Sequence, residues 1–130
     1  MICLLWVDAD NVASIEQRRT GAVVVFTVHG ALTMAVGDGE LRRAVRGAVD
    51  AGAHHVVINL EEVNDIDSSG VAELASAHIT TNNRGGTLRL CCLSAKLKHI
   101  FAITRLEDVF VIDASEADAL RTGRDRESRR

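Results

Sequence analysis

Aromatic residues are scarce in this chain of 130 residues, and long apolar runs are missing. Trp6, Phe26, Phe101 and Phe110 are the only aromatic side chains, so little is available to stack on nucleobases. The formal net charge is −3, whereas nucleic-acid backbones are bound by concentrated Lys and Arg. No apolar segment approaches the ~20 residues of a membrane-spanning helix. We therefore expect neither direct nucleic-acid binding nor membrane insertion.

Only three cysteines are present, Cys3, Cys91 and Cys92, and an odd number cannot pair completely. Free, buried thiols in a reducing compartment are the expected state. The apolar start, residues 1–7, is short and lacks the basic leader of a signal peptide, so we expect a cytoplasmic protein. Adjacent strand residues point to opposite faces, which predicts opposite sides for Cys91 and Cys92. The cysteines and histidines show no recognised ligand spacing, and no metal or other cofactor is expected.

Charge is distributed unevenly along the chain. Residues 121–130 carry a net charge of +3, so residues 1–120 carry −6. This basic tail is short of apolar residues, and we predict it to be disordered. We predict one domain over residues 14–120, preceded by an extension of residues 1–13. The sequence leaves the extension open between an added strand, a dimer contact and residues upstream of the true start, and it leaves the oligomeric state open as well.

Hydrophobic periodicity predicts alternating strands and helices. A hairpin turning near Thr20 leads into a β-branched run that Gly30 closes, and helical spacing follows from Leu41 to Val49. The remaining predicted elements are a buried strand at Val56–Leu60, a helix with Val71, Leu74, Ala75, His78 and Ile79 inward, a strand at Thr87–Leu93, a helix at Ser94–Ile103, a strand at Val109–Ile112, and a short helix capped by Ser115 and Asp118. The predicted fold class is α/β, one mixed, mostly parallel β-sheet with about four helices in the order β-β-α-β-α-β-α-β-α.

A small polar segment, Asn64–Gly70, lies between the strand predicted at Val56–Leu60 and the helix after it. Asp and Ser oxygens commonly accept hydrogen bonds from the free N–H groups of a first helical turn. A helix cap would therefore explain the segment by itself. The local pattern leaves a structural and a functional role open.

Residues 14–120 resemble the STAS domain family, and more closely its anti-sigma factor antagonist branch. The main element is Val56–Gly70, which is similar to the strand, loop and Asp-Ser-Ser-Gly signature of that family. Three supporting elements occur in the expected order, at Gly30–Thr33, Gly85–Leu90 and Ile100–Phe110. The resemblance implies the STAS fold.

The resemblance also implies partner switching. Such an antagonist binds an anti-sigma factor that is also a serine kinase, which frees a sigma factor for transcription in a stress response. Phosphorylation of the first signature serine ends the binding, and a serine phosphatase restores it. On this chain the phosphoacceptor would be Ser68. Asp67 would orient its hydroxyl or the kinase's metal, while Ser69 and Gly70 would shape the start of the helix.

Further partner contacts are expected around this signature. Added phosphate charge beside Asp65 and Asp67 would repel an acidic partner surface. Gly70 could allow close approach of a partner's backbone or serve helix entry alone. Glu73 is expected to be exposed one turn along, as a partner contact or as a favourable acid in the first turn. Two further candidates, Thr33 and Asp38, lie where many relatives carry a Leu-Asp pair, and either could instead cap the first helix.

Two other functions are weighed against this hypothesis. A serine nucleophile would need a base within hydrogen-bond reach, and the local sequence offers carboxylates but no Gly-x-Ser-x-Gly elbow, so we do not expect an enzyme. A STAS scaffold or nucleotide-sensing module in a stress-signalling complex would keep the same fold. Gly85 and Gly86 lack the Lys-Ser/Thr of a phosphate-binding P-loop, so the sequence supplies no motif for the nucleotide-sensing role.

Overall fold

A computed structural model describes residues 2–5, 14–32 and 40–120. Its elements follow the chain as β1 (Ile2–Leu5), β2 (Ser14–Thr20), β3 (Val23–Leu32), α1 (Glu40–Asp50), β4 (His55–Ile66), α2 (Ser68–Asn83), β5 (Thr87–Cys91), α3 (Ala95–Ile103), a 3₁₀ turn (Leu106–Asp108) and β6 (Val111–Asp113). Residues 116–120 form a further helical turn, α4. The predicted α/β order is confirmed, and β1 precedes it as an added strand.

The described strands form one sheet in the order β1-β2-β3-β4-β5-β6. The first three strands pair antiparallel, and β3 to β6 pair parallel. Gly21 opens the two-residue turn between β2 and β3 with a φ of +61°, the left-handed conformation that this position requires. The predicted hairpin and the mixed sheet are both confirmed.

Alternation along the central strands creates two apolar layers. Val24 and Phe26 face the main core, which also receives buried residues of α1, α2 and α3. Val25, between them, faces a smaller cluster on the other side of the sheet, where Ala119 of α4 packs. The period of two explains how one β-branched run supplies both faces.

Polar contacts hold α4 over the smaller cluster. The Glu116 carboxylate accepts hydrogen bonds from Arg18 of β2 and from the Asn59 amide of β4, the latter at 3.0 Å. The Asp118 N–H donates to the Ser115 hydroxyl at 3.1 Å, which confirms the predicted cap of this helix. The sheet is therefore covered on both faces, by three helices on one side and by the start of α4 on the other.

Several predicted boundaries differ from the structure. β3 continues past Gly30 to Leu32. Gly30 has a φ of +98°, and the pairing register between β3 and β4 shifts on either side of it. β5 ends at Cys91, because the next residue, Cys92, has a φ of +62°. The last strand begins two residues later than predicted, at Val111.

The prediction that Cys91 and Cys92 lie on opposite faces is wrong. Cys92 lies beyond the end of β5, so the alternation of a strand no longer applies to it. Both residues pack in the smaller apolar cluster. Burial is the main cause that raises the pKa of the Cys91 thiol. Cys91 is therefore held as a neutral thiol in the folded protein.

Candidate functional site

The polar segment from the sequence is more regular than predicted, because β4 runs on to Ile66. Asp65 and Ile66 pair with Ala31 and Leu32 of β3, so the first part of the segment Asn64–Gly70 is strand. Ile66 is only 7% exposed and anchors this end of β4 in the main core. Asp67 alone then separates the strand from α2. The start of α2 is consequently held on a short, rigid connection.

Asp67 caps α2 at its N-terminus. Its backbone is extended, and its Oδ1 accepts hydrogen bonds from the N–H groups of Ser69 at 2.9 Å and Gly70 at 3.1 Å. Two of the free N–H groups of the first turn are thereby satisfied. The capping role that the sequence allowed is present in the structure, and it places the carboxylate next to Ser68 in the chain.

The three residues after Asp67 differ in exposure. Ser68 is the first residue of α2 and is exposed, Ser69 is half-buried, and Gly70 is buried. An exposed hydroxyl at this position is accessible to a modifying enzyme. The burial of Gly70 favours helix entry as the reason for a glycine there, since little of its surface is open to a partner.

Glu73 connects α2 to α1. It is half-buried and lies in the second turn of α2, so the expectation of a fully exposed side chain in the first turn is wrong. Its Oε1 accepts a long hydrogen bond, 3.4 Å, from the backbone N–H of Arg42 near the start of α1. The starts of α1 and α2 therefore meet at this side chain.

Asp65 connects the same region to α3. Its Oδ1 accepts a hydrogen bond from the N–H of Ile66 at 3.0 Å and lies 3.4 Å from the Nζ of Lys96. Both Asp65 and Lys96 remain more than half exposed, so the ion pair contributes little to stability. Its effect is to place a positive charge of α3 beside the signature segment.

Arg42 and Lys96 are neighbours of the signature that were not predicted from the sequence. The signal that could have found them is topological. Helices that follow parallel strands all begin at the carboxyl edge of the sheet, so the first turns of α1, α2 and α3 had to meet there. Neither residue carries a local motif that marks it.

The two remaining candidates, Thr33 and Asp38, lie outside the described residues. The ends of the flanking elements are described. β3 ends at Leu32, which pairs with Ile66, and α1 begins at Glu40. The chain therefore leaves β3 next to the start of α2.

Within the ranges that the structure covers, no three or more His, Cys, Asp or Glu side chains are grouped so that they could hold a metal ion. None of the helices in those ranges combines the length and the apolar character that crossing a membrane requires.

Comparison with solved structures finds the same fold in other proteins. The structure resembles an anti-sigma factor antagonist from Mycobacterium paratuberculosis, with a TM-score of 0.77 and 21% identity over 91% of this chain and 99% of the other. It resembles the Bacillus cell fate determinant SpoIIAA in its phosphorylated form, with a TM-score of 0.63 and 22% identity over 83% of this chain and 97% of the other.

The same fold occurs inside a much larger protein. The murine anion transporter Slc26a9 matches with a TM-score of 0.65 and 18% identity, over 83% of this chain but only 18% of the transporter. At these identities the structural matches establish the fold. A family model of the STAS domain matches residues 14–119 of the sequence. The chain therefore belongs to the STAS domain family.

Proposed function

We propose that this protein is an anti-sigma factor antagonist that binds an anti-sigma factor with serine kinase activity and loses that binding when Ser68 is phosphorylated. The observation that carries the proposal is the exposed hydroxyl of Ser68 at the first position of α2, held between a buried strand end and the Asp67 cap. The similarity to antagonists of this class supports it.

A phosphate on Ser68 is compatible with the fold. Phosphoserine carries about −1.5 to −2 charges at neutral pH, and the N-terminus of a helix favours negative charge through its dipole and its free N–H groups. Ser68 is exposed, so its phosphate does not have to be buried. SpoIIAA has been solved in both unphosphorylated and phosphorylated forms, which fits a domain that folds in either state.

The same phosphate would change the surface strongly. Asp65 and Asp67 already place carboxylates around Ser68, and Lys96 lies 3.4 Å from the Asp65 carboxylate. Adding about two negative charges there makes contact with an acidic partner surface repulsive and desolvation of an interface unfavourable. Phosphorylation therefore switches binding while the domain stays folded.

The binding surface in this proposal includes the residues around the signature. Asp65, Asp67, Ser68 and Ser69 contribute directly, and Glu73 contributes through its contact with α1. Thr33 and Asp38 complete the proposed partner surface, while Gly70, which is buried, contributes by shaping the start of α2.

The protein acts in the cytoplasm as a regulator of sigma-factor-dependent transcription in the stress response and catalyses no reaction. A serine phosphatase restores binding.

Capture from a lysate of the source organism tests the proposal. Wild-type protein, Ser68→Asp and Asn82→Asp serve as parallel baits, and retained proteins are identified by mass spectrometry. Asn82→Asp is the matched control, since it adds one negative charge to the exposed surface near the other end of α2. We expect wild type and Asn82→Asp to retain a small ATP-binding kinase and Ser68→Asp to lose it.

Two outcomes would contradict the proposal. Retention of one large assembly by all three baits would favour the scaffold alternative. A thermal melt in which Ser68→Asp is largely unfolded would show that the charge acts on the fold and not on the surface. Direct phosphorylation of wild-type protein but not of Ser68→Ala by the captured kinase would identify the acceptor.

A further inference from the structure

A polar cavity lies between α1 and α2, well away from the signature. Its volume is about 320 Å³, and it is lined by Arg46, Thr80, Asn83 and Arg84. Two guanidinium groups, a hydroxyl and a carboxamide thus surround one space. Thr80 is twelve residues after Ser68 along α2, or about 18 Å at the rise of a helix. The cavity is therefore separate from the proposed phosphorylation site, and a ligand bound in it would not require that site.

The polar groups of this cavity have hydrogen-bonding capacity to spare. In the part of the chain that the structure describes, the side chains of Arg46, Thr80 and Asn83 make no hydrogen bond or ion pair with another residue. The Arg84 Nη1 lies 3.1 Å from the Asp50 Oδ1, in a pair whose side chains are 39% and 49% exposed. Such an exposed pair is weak, and a guanidinium has five N–H donors, so Arg84 can bind a second acceptor.

After its first residue, which is an acid, α1 carries its basic residues before its remaining acidic one. Arg42, Arg43 and Arg46 fall in its first two turns, and Asp50 is in its last turn. Helix stability favours acids at the start and bases at the end. The arginines are therefore not explained by the stability of α1, and they concentrate positive charge on a protein whose residues 1–120 carry −6. The cavity lies at the carboxyl end of α2, where the helix dipole disfavours an anion, so binding there has to come from the guanidinium groups of Arg46 and Arg84.

We propose that this cavity binds a small phosphate-type anion. Guanidinium groups pair with phosphate oxygens through two parallel N–H bonds, and hydroxyl and amide donors complete the coordination of such a group. The volume exceeds that of one phosphate and suits a ligand with two linked phosphates. Arg46 and Arg84 hold the charge, while Thr80 and Asn83 donate to the remaining oxygens.

The test is a pyrophosphate titration followed through the backbone amide signals of the full chain at constant ionic strength. We expect saturable shifts at the amides of residues 46 and 80–86. Loss of one charged hydrogen-bonding partner is expected to weaken binding about tenfold in Arg46→Gln and in Arg84→Gln. Lys98→Gln is the matched control, because it removes one exposed cation from α3, and its affinity is expected to equal that of wild type.

Three results would overturn the proposal. Shifts that do not saturate would indicate general screening. Shifts confined to residues 68–70 would place the anion at the start of α2. Equal weakening in Arg46→Gln and Lys98→Gln would show that only net charge matters. We expect Ser68→Ala to bind pyrophosphate with the affinity of wild type, because Ser68 does not line the cavity. This result does not depend on whether Ser68 is phosphorylated in the proposed switch.

Discussion

Replacing Asp67 separates its structural role from any role toward Ser68. In Asp67→Ala the N–H groups of Ser69 and Gly70, now bonded at 2.9 and 3.1 Å, lose their acceptor. Loss of an N-cap costs about 0.5–2 kcal/mol. Because this cap starts the 16-residue helix α2, we expect the free energy of unfolding to fall by about 1–2 kcal/mol and the Tm by about 4–7 °C.

Asp67→Asn is the matched control for this variant. Asparagine caps helices about as well as aspartate, so we expect a loss below about 0.5 kcal/mol in urea unfolding followed by circular dichroism. An equal loss in both variants would refute the reasoning, since the negative charge and not the oxygen acceptor would then matter. A loss below about 0.3 kcal/mol in Asp67→Ala would refute the capping role itself.

The same pair of variants bears on the proposed switch. If Asp67 orients the Ser68 hydroxyl or binds the kinase's metal, Asp67→Asn will be nearly as stable as wild type but phosphorylated more slowly. Equal phosphorylation rates in Asp67→Asn and wild type would restrict Asp67 to the cap. The measurement is incorporation of phosphate by the captured kinase under identical conditions.

Two further predictions concern stability. Gly86→Ala places a Cβ against the carbonyl oxygen of His54, so we expect the free energy of unfolding in urea to fall by about 2–3 kcal/mol. Gly47→Ala, in the open middle of α1, should raise it by about 0.5–1 kcal/mol. Equal changes in the two variants would contradict the steric clash at Gly86. Because burial raises the pKa of the Cys91 thiol, the folded state keeps this proton above pH ~8.5, where the unfolded chain loses it. The free energy of unfolding should therefore fall as pH rises above about 8.5, and a wild-type pH slope unchanged in Cys91→Ala would contradict this assignment.

The order of elements was predictable because each follows from local periodicity. The buried face of α2, however, was not predicted correctly from this periodicity. Ile79 was expected inward but is 57% exposed, while Ala77 and Thr81 are buried. Small inward residues such as Gly70 and Ala77 allow close packing on the sheet and α1, so tertiary contacts set the buried face rather than the largest apolar side chains.

The start of α2 was predictable from the sequence, whereas the length of β4 and the contacts of the signature with other helices were not. Small polar residues after an apolar run indicated that a helix begins near the end of the segment Asn64–Gly70, and in the structure α2 begins at Ser68. The length of β4 was not predictable, because Glu61 and Glu62 end the apolar run although pairing with β3 carries the strand on to Ile66. The contact between Asp65 and Lys96 joins residues 31 positions apart, which no local pattern reports.

The single-residue link between β4 and α2 has a consequence for any enzyme that modifies Ser68. Here the acceptor lies on a helix whose first turn is fixed by Asp67 and by the buried end of a strand. Such an enzyme would have to recognise a preformed three-dimensional surface, and a synthetic peptide of residues 60–75 would be a poor substitute for the folded domain.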